Sequence, residues 1–170
     1  MMRRIAILVA VAALLTSCGI FSQYEQDRSP GLPRALGARV TAGELRIWMG
    51  ARCFGSTHLT FLFHPSETSV LLVADNGDET EFEYVTLGLN PGWTISKPLP
   101  AGFDWTKEKR FTFSGSGQGG HSDIETIMKD SAAHPDDTYW FEDVGWLNPV
   151  DLAAKDGKTF LAACSPNPKP

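Results

Sequence analysis

The 170-residue chain has only three cysteines, no apolar run longer than the eleven residues from Ile5 to Leu15, and no excess of positive charge. Each scarcity excludes something. Eleven apolar residues are too few for a membrane-spanning helix, which needs about 20. Fifteen basic residues against twenty acidic ones give a formal net charge of −5, which argues against a nucleic-acid partner, since such a partner requires a basic face. An odd number of cysteines leaves at least one without a partner inside the chain. No internal repeat is visible. Familiar catalytic signatures are missing as well. There is no HxxxH or HExxH pair, and no Lys-Ser/Thr ending to make the glycine-rich stretch at 113–120 a Walker A loop. Gly115-Ser116-Gly117 lacks the spacing of a nucleophile elbow. Asp75-Asn76-Gly77-Asp78 has no glutamate at the twelfth position of a calcium loop.

The N-terminus carries more information. Arg3 and Arg4 precede the apolar run, and Thr16, Ser17 and Cys18 follow it. A basic start, a short apolar stretch and small residues are the layout of an export signal. The basic start favours the cytoplasmic side, so the downstream chain is translocated. Leu15-Thr16-Ser17-Cys18 resembles the lipobox of bacterial lipoproteins, a resemblance confined to residues 1–18. It implies removal of residues 1–17 as a signal peptide. It also implies a thioether-linked diacylglycerol on Cys18 and acylation (palmitate or a similar chain) of the new amino end. Two or three acyl chains anchor stably where one does not. The expected location is the outer face of the bacterial cytoplasmic membrane. With Cys18 committed to lipid, Cys53 and Cys164 remain, and an exported compartment permits them to form a disulfide.

Loss of Arg3 and Arg4 with the leader leaves 13 basic residues against 20 acidic ones, a net charge of −7. Lipid rather than charge must then hold the chain at a membrane. Residues 18–39 read as a flexible tether rich in Gln, Glu, Asp, Ser and Pro, without a sustained period. Residues 40–164 form one β-rich domain, and 165–170, with three prolines, a disordered tail.

Within the domain the dominant period is two. Leu45, Ile47 and Met49 alternate with Glu44, Arg46, Trp48 and Gly50. Leu59, Phe61 and Phe63 share one face of a second strand. Val70–Val73 and Thr80–Leu87 flank Asn76-Gly77, the strongest short hairpin signal. Further strands are expected at Trp93–Ile95, Arg110–Phe113, Tyr139–Val144 and Thr159–Ala163. Ser122 and Glu125 read as a capping box opening one helix. Asn148-Pro149 opens another, stopped by Gly157. The expected class is mainly β: an antiparallel β-sandwich or partly open barrel, with two short helices in the C-terminal half.

His121, Asp123, His134 and Asp136 form the best polar cluster, because imidazole and carboxylate are zinc ligands. They flank one helix of about 12 residues, whose ends lie ~18 Å apart, a distance that opposes a shared ion. Asp123 and His134 also suit the two ends of a helix dipole. The stretch 113–120 reads as a flexible surface loop. Asp75, Asp78, Glu79 and Glu81 surround a turn tip rather than facing across a cleft. Five tryptophans remain. Trp93, Trp105 and Trp146 sit beside turn residues, where an indole either stacks on a ligand or plugs the open end of a core.

Three functional readings follow. The first is a lipid-anchored binding module for an envelope protein, a cell-wall glycan or a lipid, with Trp93, Trp105 and Trp146 in contact. The second is an envelope-acting hydrolase using His121 or His134 with a nearby aspartate. The third is a structural subunit of an envelope complex, marked by a large exposed apolar patch. None requires a cofactor.

Overall fold

The computed structural model describes residues 31–115 and 117–166. The expected signal peptide, Cys18 and most of the expected tether fall on residues 1–30, which lie outside the described residues, as do 116 and 167–170. Twelve strands and two helices follow in order: β1 (Arg34–Ala35), β2 (Gly37–Thr41), β3 (Glu44–Ser56), β4 (His58–His64), β5 (Thr68–Ala74), β6 (Thr80–Thr86), β7 (Trp93–Lys97), β8 (Arg110–Gly115), β9 (Gln118–Asp123), α1 (Ile124–Asp130), β10 (Tyr139–Phe141), β11 (Gly145–Leu147), α2 (Pro149–Lys155) and β12 (Leu161–Ala162).

The strands build two five-stranded antiparallel sheets. One runs β11-β10-β2-β3-β6 and the other β7-β5-β4-β8-β9, while β1 and β12 form a small parallel pair. This is a β-sandwich, and no barrel closes among the described residues. The alternation in β4, β5 and β8 sends Leu59, Phe61, Phe63, Val70, Leu72, Phe111 and Phe113 into the interface, all buried. The facing sheet contributes Leu45, Ile47, Phe82 and Val85. Phe61 meets Phe113 edge to face at 5.1 Å, an arrangement that suits the ring quadrupoles.

A second, smaller core lies on the other face of the first sheet. Trp48, Tyr139, Phe141, Leu152, Phe160 and Ala162 pack there. Trp48, on the polar side of the alternation in sequence, is therefore 3% exposed. Both faces of β3 are covered at that point because α2 and β12 return across it. At Gly50, with φ +77°, an added Cβ would lie 2.3 Å from the Cβ of Ala162. Only glycine permits that approach and that backbone together. The Cys53–Cys164 disulfide, with Cα atoms 5.2 Å apart, ties the returning segment to β3.

Several expectations are corrected. The tether does not extend to residue 39, because Gly37–Thr41 is a strand with Ala38 and Arg39 buried. The tail does not start at 165, because Ser165 is buried and its hydroxyl donates to Asp156. The stretch 113–120 is not a surface loop. Gln118–Asp123 pairs with β8 along its whole length, and a Cβ at Gly119 would lie 2.4 Å from the carbonyl oxygen of Phe113. Gly115, Gly119 and Gly120 are there for close packing, whereas Gly117 supplies the positive φ of the turn. Asn76-Gly77, with φ of 66° and 73°, reverses the chain but closes no hairpin. β5 pairs with β4 and β7, whereas β6 pairs with β3 in the other sheet. The segment 139–147 is a hairpin, β10–β11, not one strand. Helix α1 is capped by Asp123, which accepts from the Thr126 amide at 2.8 Å, and not by Ser122.

Candidate functional site

The sequence candidates scatter. Trp93 is 7% exposed and packs edge to face on Phe82 at 5.7 Å. It closes one end of the core and presents no ring to a ligand. Trp105 is half-buried against the same core. Trp146 and His134 are brought together: their rings stack at 4.2 Å, with Trp140 beside Trp146 at 5.9 Å. The imidazole thus covers one face of the Trp146 indole.

The zinc alternative does not assemble. Asp123 caps α1. Asp136 accepts from the Arg39 guanidinium at 3.0 Å. His134 stacks on Trp146, and His121 lies exposed on β9. No group of three or more potential ligands forms among the described residues. Arg39 has a structural task. Its buried guanidinium donates to the carbonyls of Pro135 and Thr138 and lies 5.7 Å from the Tyr139 ring centroid. It holds the loop that leads from α1 to β10.

A cleft of about 340 Å³ forms where β1, β9, the β10–β11 turn and the end of α2 meet. Its apolar floor is Ala35, Val144 and Phe160, and its polar rim is Arg34, His121, Glu142, Asp143, Lys155 and Thr159; the Arg34 guanidinium is engaged, donating to the carbonyls of Ala163 and Ser165. A concave apolar surface with a few convergent polar groups is the usual form of a small-ligand site, and about 300 Å³ is the lower end of the usual range. Glu142 is held in place. Its Oε2 accepts from the Asp123 amide at 3.1 Å and the Trp140 indole N–H at 3.2 Å, leaving Oε1 available. His121, Asp143 and Lys155 make no ion pair among the described residues. A larger and more open groove of about 830 Å³ runs past α1. There Lys107, Lys109 and Lys129 stand with Glu108, Asp123 and Glu125, equal numbers of the two signs.

Of the sequence candidates, only His121 belongs to the cleft. Glu142, Asp143 and Lys155 carry no local pattern that marks them. They are a carboxylate pair in a short turn and a lysine in the last turn of a helix, both ordinary solvated positions. Only the fold brings them together.

Three groups elsewhere have displaced pKa values. Burial, then the Glu83 charge, raises the Tyr84 phenol above 10.0. Burial, opposed by the Arg39 and Arg46 charges, raises the Tyr139 phenol above 10.0. The Thr106 hydroxyl and then Lys107 lower the Asp104 carboxyl. None of the three lines the cleft.

No protein family matches this chain, and none of the curated proteins or solved structures is significantly similar to it.

Proposed function

We propose that the chain is a lipid-anchored, extracytoplasmic binding domain of the bacterial envelope. Cys18 holds it at the outer face of the cytoplasmic membrane, and a small ligand occupies the cleft beside β1. The observation that carries the binding reading is the cleft itself: an apolar floor under a polar rim in which His121, Asp143 and Lys155 make no ion pair among the described residues. Pro33 also lines it, so ligand is held beside the point where the tether joins the domain. The lipobox-like Leu15-Thr16-Ser17-Cys18 supports the anchor.

The alternatives have less support. His121 stands at the cleft, but no carboxylate hydrogen-bonds to its ring among the described residues, so nothing orients it as a general base. The exposed large apolar side chains, Phe54, Tyr84, Leu89, Ile95, Met128 and Val150, sit on six different segments.

The test is native mass spectrometry of the full lipidated chain, extracted from envelopes in mild detergent. Wild type is expected to carry a bound small molecule that Val144→Trp, which fills the cleft, does not. The same bound mass on both proteins would refute the cleft as the site. Cys18→Ser is expected to shift the chain from the membrane to the soluble extracytoplasmic fraction. Continued membrane retention of that variant would refute the anchor.

A further inference from the structure

Resting on the cleft as the ligand site, we infer that its ligand is a small zwitterion with an apolar body, the chemistry of an amino acid or a dipeptide. The charges on the rim are segregated by element. Arg34 on β1 is held by the carbonyls of Ala163 and Ser165; of the other three charges, Glu142 and Asp143 occupy the β10–β11 turn, while Lys155 ends α2. Each of these three is available. The Glu142 orientation is set through Oε2 alone, and Asp143 and Lys155 have no ion-pair partner among the described residues. A simple anion would meet Lys155 but place its charge near two carboxylates. A simple cation would pair with the turn and leave the lysine desolvated and unpaired. A neutral ligand would displace water from Asp143 and Lys155 and give neither a partner, which is costly, while Glu142 kept only its bonds through Oε2. An ammonium directed to Glu142 and Asp143, with a carboxylate directed to Lys155, satisfies both walls. The body of such a molecule would lie on Ala35, Val144 and Phe160.

The probe is the dipeptide Ala-Phe, compared with its N-acetyl and C-amide forms, titrated against the full lipidated chain in detergent. Tryptophan fluorescence is the readout, since the Trp140 N–H is bonded to Glu142. Capping either terminus is expected to weaken binding about tenfold or more, the usual scale for losing a charge-assisted hydrogen bond. Lys155→Met is expected to weaken the free dipeptide about tenfold while leaving the C-amide unchanged. Asp143→Asn is expected to act in the same way on the free dipeptide and the N-acetyl form. Equal binding of free and capped dipeptides, or equal losses for all three on either substitution, overturns the zwitterion. Failure of Ala-Phe to bind also overturns it for ligands of this size. In each case the cleft still stands as a site if the bound mass in wild type is absent from Val144→Trp, and falls with that difference.

Discussion

Ser122 and Asp123 stand side by side before α1, and a one-residue offset separates their roles. Either can cap a helix by sequence preference, and the Ser-x-x-Glu spacing pointed to the serine. In the fold Ser122 is the last buried position of β9, facing Phe111, and its hydroxyl has no hydrogen-bond partner. The strand parity, which turns the Ser122 side chain inward, leaves Asp123 to cap. Asp123→Ala is therefore expected to lower stability by about 1 kcal/mol. Ser122→Ala removes an unsatisfied polar group and is expected to be neutral or stabilising. Urea midpoints of the two variants decide this, and the reverse order would restore the serine as cap. Tyr139 offers a pH-dependent case. Its folded pKa is raised, so its contribution to stability is intact at pH values below about 10, where the unfolded chain also keeps its phenols protonated. It is lost as pH rises past 10.0 through the folded value, because the unfolded chain releases that proton first. The denaturation midpoint is expected to fall between pH 9 and pH 11, and less steeply in Tyr139→Phe. Identical slopes would remove Tyr139 as a cause.

Among elements, the returning segment from β11 through α2 to β12 depends on its attachments. It covers Trp48 and is fastened by Cys53–Cys164 across 111 residues of chain. A loop of that length corresponds to about 4–5 kcal/mol in the chain-entropy description. The paired Cys53→Ser, Cys164→Ser variant is expected to lose stability on that scale. In hydrogen exchange, the amides of α2 and β12 should lose protection before those of β4, β5 and β8, whose Phe61 and Phe113 lie in the main core. Uniform loss across all of them would mean that the two cores open as one. The Cys53–Cys164 disulfide was legible in sequence only through the expectation that Cys18 carries lipid, which sets the third cysteine aside. The pairing around Asn76-Gly77 was not legible. A turn of that type reverses the chain over a few residues, but partner choice depends on which sheet needs each apolar face. Phe82 and Val85 complete the first sheet, and Leu72 completes the second.

At the scale of the whole molecule, a chain with this excess of acidic residues has no electrostatic reason to approach an anionic bilayer. The Cys18→Ser chain without its leader, net charge −7, is expected to remain in the supernatant when phosphatidylglycerol vesicles are sedimented at low salt. Co-sedimentation would point to a second membrane contact on the folded surface.

Sequence alone determined the period-two strands, the β class, the start of α2 at Asn148-Pro149 and the pairing of two cysteines. All of these depend on side chains a few residues apart or on simple counting. Tertiary structure decided that β5 and β6 belong to different sheets, that Trp48 is covered on its outward face, that Trp93 plugs a core, and that a cleft exists. Its walls come from residues 33–35, 121, 142–144 and 155–160. No local pattern joins segments so far apart in the chain. They meet because α2 and β12 must return to cover the apolar outer face of the first sheet, and the space left beside β1 is what that return does not fill.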